Sequence, residues 1–166
     1  FGAVIAWTSY QLGARWGDRA GVASAPHWCS GASDAEDVTL ARTALALLAT
    51  QTDAGTGFAD STAFLALRPE RAHAAWAYDW TCDRRELFDA RGRGVVPEAF
   101  GQRSGSGLDP CAALSLELDL EPGREQQVTL LLGHADSREA AKRLVDEACA
   151  VDPAARAARA IGAWRE

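Results

Sequence analysis

The sequence contains no methionine and no asparagine. A native chain starts with Met, so Phe1 is expected to be an internal point of a longer chain. Without Asn there is no acceptor for N-glycosylation. Lysine is nearly missing as well, since Lys142 stands alone among 17 basic residues. Together with abundant Ala this points to a high-GC coding sequence, a property of the genome and not of the chemistry. Positive charge is in short supply: 17 basic against 23 acidic side chains give a net charge of -6. An acidic chain does not suit nucleic acid or an anionic membrane, because phosphate contacts need clustered Lys and Arg. No apolar run approaches the roughly 20 residues of a membrane-spanning helix. Phe1 to Leu12 lacks the basic front and the small-residue cleavage site of a signal peptide.

Cysteine is sparse and unpatterned. Cys29, Cys82, Cys111 and Cys149 form no Cys-x-x-Cys pair and no zinc-ribbon spacing. A chain of 166 residues can bury a core without covalent staples. The four are therefore read as reduced, mostly buried small hydrophobes. What is present is ordinary for a globular domain, with 48% apolar and 24% charged residues. The length fits one domain, or two small ones at most.

Gly2 to Leu12 alternates as a strand. Residues 13 to 37 are rich in Gly, Ala, Ser and Asp and read as a long loop. Val38 to Thr52 is ambiguous: Leu40, Ala44, Leu47 and Leu48 fit a helical face, whereas Leu45 and Leu47 fit a strand. Asp53 to Gly57 is a turn signal, and Ser61 to Leu67 is a strand closed by Arg68-Pro69. Trp76, Tyr78 and Trp80 alternate on a strand face. Asp83-Arg-Arg-Glu86 follows as a charged surface or turn, and the glycine-rich stretch from 91 to 110 as a long irregular connection.

Leu114, Leu116, Leu118 and Leu120 alternate with polar residues, as do Val128, Leu130 and Leu132. Between them lies Glu121-Pro-Gly-Arg124, in which Pro presets its φ and Gly accepts the left-handed position. The pattern predicts a hairpin with one buried face. Two helices close the chain. Asp136 or Ser137 caps the first, whose stripe is Ala140, Ala141, Leu144, Val145 and Ala148. Asp152-Pro153 starts the second, with Ala157, Ile161 and Trp164 on one face.

Catalytic motifs are missing. There is no Gly-x-Ser-x-Gly elbow and no phosphate loop. His27, His73 and His134 are isolated; His27-Trp-Cys29 brings two soft ligands close in sequence, but no partner pair accompanies it and a surface loop is the simpler reading. Asp83 and Glu86 could be argued as a glycosidase pair, which needs two carboxylates about 5–10 Å apart across a cleft. A self-compensating charged turn explains them more simply. The aromatic residues carry more information. Exposed Trp rings with Arg and Asp nearby are what a sugar face uses, and Trp rings also fill sandwich cores efficiently. Trp7 and Trp76 read as core; Trp80 reads equally as core or as platform. The candidate carbohydrate-binding set is Trp80, Asp83, Arg84, Arg85 and Arg91, with no catalytic residue, no metal ligand and no cofactor expected.

Several separated segments keep order and approximate spacing: Trp80-Thr-Cys-Asp-Arg-Arg-Glu-Leu-Phe88, Pro97, Gly107-Leu-Asp-Pro-Cys-Ala-Ala113, Leu120-Glu-Pro-Gly123, Leu130-Leu-Leu-Gly133 and Ala135-Asp-Ser-Arg-Glu-Ala140. Over about residues 60 to 165 the chain resembles the glycoside hydrolase family 94 phosphorylases, in their cyclic β-1,2-glucan synthase branch. Ser9 to Gly13 and Leu47 to Ala49 extend the likeness weakly upstream. The family usually reads Phe-Leu-Gly-Arg after the Asp-Arg-Arg-Glu element. Here Leu87-Phe-Asp-Ala-Arg91 replaces the Gly and displaces the Arg.

The resemblance implies a mainly β fold: an antiparallel β-sandwich of the galactose-mutarotase-like super-sandwich type, followed by two linker α-helices. It places a β-sandwich domain, truncated at its N-terminus, at residues 1–135, and linker helices leading to an absent catalytic barrel at 136–166. It also recasts residues 38 to 52 as strand. The implied function is a non-catalytic, carbohydrate-associated sandwich that packs on and shapes a catalytic domain. The alternative is a free-standing carbohydrate-binding module. Expected partners are an oligosaccharide or β-glucan, the parent's helical barrel and a second copy in a homodimer, with no nucleic acid. The expected location is cytoplasmic, the parent being a candidate for attachment to a bacterial inner membrane.

Overall fold

The computed structural model describes residues 2–8, 22–30, 42–52, 59–69, 78–118 and 121–164. Among the described residues seven strands and two helices run in the order β1 (Gly2–Thr8), β2 (Val22–Ser30), β3 (Arg42–Gln51), β4 (Thr62–Pro69), β5 (Tyr78–Asp83), β6 (Pro110–Leu118), β7 (Val128–Ala135), α1 (Arg138–Ala150) and α2 (Pro153–Ala163). The strands form two antiparallel sheets, one ordered β1-β6-β5 and the other β2-β3-β4-β7. The fold is thus a mainly β sandwich with two C-terminal helices, as expected. The turn read at 53–57, Trp16, Trp76 and His73 lie outside the described residues.

β3 shows why its sequence resisted a periodicity argument. Leu45 and Leu47 face the first sheet, in a core with Leu65, Leu67, Trp80, Cys82, Leu114 and Leu116. Ala44, Ala46 and Leu48 face the opposite way, with Phe64, Ala66, Ala141 and Val145. Both faces of the strand are buried, so it reads as a continuous apolar run without alternation. The molecule is therefore three layers: sheet, sheet and α1. Small side chains at Ala44, Ala46 and Ala66 let α1 approach closely, and Gly133 lies against the ring of Phe64.

β2 corrects, at residues 22–30, the loop expected across residues 13 to 37; the rest of that stretch lies outside the described residues. It pairs with β3 from Val22↔Gln51 to Ser30↔Arg42. Its Ala, Ser and Pro26 are poor strand formers, and only pairing with an apolar neighbour makes it a strand. Pro26 is tolerated because β2 is an edge of its sheet among the described strands.

The expected hairpin is also corrected. β6 pairs with β1 and β5, whereas β7 pairs with β4 in the other sheet. The turn chemistry is as read: Arg124 N–H donates to the Glu121 carbonyl at 3.1 Å and Gly123 has φ +74°. The connection nevertheless crosses from one sheet to the other. Alternation marks a half-buried strand and says nothing about its partner. On β7, Leu130 and Leu132 lie opposite Leu67 and Leu65, on the core side of the sheet. They are 49% and 60% exposed, on a strand that is an edge of its sheet among the described strands.

Both helix starts are capped as expected. Ser137 Oγ accepts from Ala140 N–H at 3.2 Å, and Asp152 Oδ2 from Ala155 N–H at 3.1 Å. α1 buries Ala141, Val145, Ala148 and Cys149 against the second sheet. α2 buries nothing: Ile161 is 54% and Trp164 91% exposed.

Candidate functional site

The charged segment after β5 folds into a short 3-10 turn, Arg84–Leu87, because Asp83 caps it. Asp83 Oδ1 accepts from the backbone N–H of Arg85 at 3.2 Å, and both carboxylate oxygens accept from the Arg85 side chain. Arg103 donates from its Nη1 to Oδ2 at 3.2 Å. The Asp83 side chain is fully buried, while Arg85 and Arg103 are half exposed. Burial alone would push the Asp83 carboxyl upward. The side-chain and backbone hydrogen bonds and the charge of Arg85, with help from Arg103, outweigh it and hold the carboxyl below the usual carboxylate range.

Glu86 belongs to the same network. Thr81 Oγ1 donates to its Oε1 at 2.9 Å and Gly101 N–H to its Oε2 at 2.7 Å. Arg103 Nε lies 3.4 Å from Oε1. Arg84 pairs with Asp109 through two hydrogen bonds of 3.0 and 3.2 Å. These contacts fasten the long connection from 88 to 109 along the free edge of β5. Gln102 N–H donates to the Trp80 carbonyl, and Cys82 N–H to the Arg103 carbonyl. Gly105 then forms an isolated bridge with Ser24 of β2, so the same connection links the two sheets.

The structure brings Asp83, Arg84 and Arg85 of the candidate set together and separates the others. Trp80 is 9% exposed and packs in the inter-sheet core, so its ring face is not available for stacking. Of its two readings, the structure supports core. The physical reason is register: Trp80 lies opposite Leu114 of β6, on the inward face. Asp83 sits in the expected self-compensating turn, with its side chain buried and not at the surface. Arg91 lies further out on the connection; its backbone N–H donates to Asp89 Oδ1 at 2.8 Å, and its side chain is exposed. Arg85 and Arg103 are half exposed, so their outer edges face solvent beside the turn. Arg103 was not among the expected residues, since nothing local in Gln-Arg-Ser marks it as a partner of Asp83.

Chemically, Asp83 cannot act as an acid, because the arginines keep it ionised and its oxygens are occupied. Both Glu86 oxygens are occupied too. The four cysteines are free and buried, as read from the sequence. Burial pushes the thiols of Cys82 and Cys111 up to about 11 and about 12, so both stay protonated at neutral pH. On the opposite side of the molecule, His27 and Cys29 of β2 meet Asp146 of α1, one donor atom from each lying within 4.8 Å of the others. Among the described residues no helix is long and apolar enough to cross a membrane.

The family model described as "Glycosyl hydrolase 94, supersandwich domain" matches residues 34–151, more than half of the chain. The match runs from β3 through α1 and takes in the whole Asp83–Arg103 network. No curated protein and no solved structure matches the chain.

Proposed function

Because the chain belongs to the glycosyl hydrolase 94 supersandwich-domain family, we propose that it is the non-catalytic, carbohydrate-associated sandwich of a glycoside phosphorylase, of the cyclic β-1,2-glucan synthase kind. In this reading it packs on a helical catalytic barrel and shapes the sugar cleft from one side. The observation that carries it is the state of Asp83 and Glu86. The carboxylate pair weighed for hydrolysis, Asp83 and Glu86, is engaged in holding a connection in place. Such a segment presents a fixed polar surface and does no chemistry on its own.

α2 supports the docking half of the reading. It is capped and amphipathic, yet none of its side chains is buried. A single helix of this length is marginal in water without packing. Its apolar side, with Ile161 and Trp164, suits a partner surface from the barrel.

Incubating the chain with β-1,2-glucan oligosaccharides and inorganic phosphate should release no sugar phosphate. Release that is lost on Glu86→Gln would overturn the non-catalytic reading.

A further inference from the structure

We propose that His27, Cys29 and Asp146, together with the adjacent Cys149, form a binding site for a soft divalent cation such as Zn²⁺, tying α1 to the edge strand β2. The donors come from two elements whose geometry aims them at one point. His27 and Cys29 are two apart on a strand and so share a face. Asp146 and Cys149 are three apart on a helix and so share a side. α1 packs on that face of the second sheet, with Cys29, Val145 and Cys149 in one buried cluster.

The distances suit the ion. His27 Nε2 stands 3.0 Å from Asp146 Oδ1. The ligand atoms of His27, Cys29 and Asp146 all lie within 4.8 Å of one another. Tetrahedral zinc with bonds of about 2.0–2.3 Å separates its ligands by about 3.3–3.8 Å. The one short spacing must open by a few tenths of an ångström, and any spacing near the 4.8 Å limit must close by up to about 1 Å, to admit the ion. Cys149 packs with Cys29 in one buried cluster, on the inner side of the group. His27 and Asp146 are partly exposed and provide the way in from solvent.

Charge is also accommodated. Two thiolates and a carboxylate against a dication leave one negative charge. Arg68 of β4 is held at the C-terminal end of α1, its Nη1 donating to the Val151 carbonyl at 2.9 Å. On binding, the two thiol protons leave to solvent. As a ligand, His27 presents Nε2 to the metal and carries its one proton on Nδ1. Sequence alone hid this set, because its halves are more than a hundred residues apart.

Cobalt is the probe. The reduced chain should take up one equivalent of Co²⁺, with the d–d bands of a tetrahedral site and a thiolate-to-cobalt charge-transfer band; Zn²⁺ should displace it. Cys29→Ala should weaken the charge-transfer band, and Cys29→Ala combined with Cys149→Ala should abolish it. The partly exposed variants His27→Gln and Asp146→Asn should fold normally by circular dichroism, bind at least tenfold more weakly and lose the rise in Tm that Zn²⁺ gives the parent chain. Absence of tetrahedral bands in the reduced parent chain would overturn the proposal. So would bands unchanged in both His27→Gln and Cys29→Ala, which would mark adventitious binding elsewhere. A chain isolated metal-free with a Cys29–Cys149 disulfide, and unable to bind Co²⁺ after reduction, would also overturn it.

Discussion

Replacing Asp83 by Asn tests whether its charge holds the connection from 88 to 109 against the sandwich. Asn retains the shape and still accepts the Arg85 N–H as a cap, so the variant removes the charge and little else. The lost interactions are those to Oδ2, from Arg85 Nη2, from Arg85 Nε at 3.0 Å and from Arg103 at 3.2 Å, while the 2.8 Å bond from Arg85 Nε to Oδ1 loses its charge assistance. A hydrogen bond to a charged group contributes about 1.5–3 kcal/mol. Arg85 and Arg103 are half exposed and regain water, so the loss should not reach the about 3–5 kcal/mol of a buried pair broken on one side. The expected destabilisation is about 2 kcal/mol. In urea, with a slope of about 2 kcal/mol/M for a small protein, the midpoint should fall by about 1 M.

The pH dependence gives the sharper test. Asp83 titrates below its unfolded value of 3.8 in the folded chain. Its stabilisation is therefore complete above that unfolded value and is lost as pH falls through the lower folded value. The gap between the parent chain and Asp83→Asn should be constant from about pH 5 to 7 and should shrink below about pH 4. Asp89, also held low by the Arg93 backbone and side chain, is common to both proteins and cancels. A gap below about 0.5 kcal/mol at pH 7, or one that does not change on acidification, would refute the assignment.

Gly133→Ala should destabilise by about 1–3 kcal/mol by urea titration, because a Cβ would meet the buried Phe64 ring at 2.6 Å. Leu65→Ala in the inter-sheet core should cost about 2–5 kcal/mol, measured the same way. Ser137→Ala should lose about 1 kcal/mol with the cap of α1, and Ser137→Asp should recover it. Ile161 and Trp164 should drive self-association at rising concentration in sedimentation, and Trp164→Ser should reduce it; a strictly monomeric parent chain would count against an apolar docking side on α2.

Local chemistry was legible in the sequence wherever one residue's preference settles one backbone position. The caps at Ser137 and Asp152, the Pro122-Gly123 turn and the alternation of β6 belong to that class, since each depends on neighbours a few residues away. The family resemblance was also legible, carried by short segments in fixed order. What the tertiary structure decided is which strand lies beside which, and which face meets what. β2 is a strand only because β3 offers it a ladder. β6 and β7 part into different sheets although their turn would serve a hairpin. Trp80 turns inward because β6 sets its register, and Asp83 is buried because Arg85 and Arg103 neutralise it there. The His27–Cys29–Asp146 group exists only because α1 lies across β2. Backbone propensity acts over a few residues, whereas pairing, burial and ionic compensation are properties of contacts between distant ones, and no spacing along the chain encodes them.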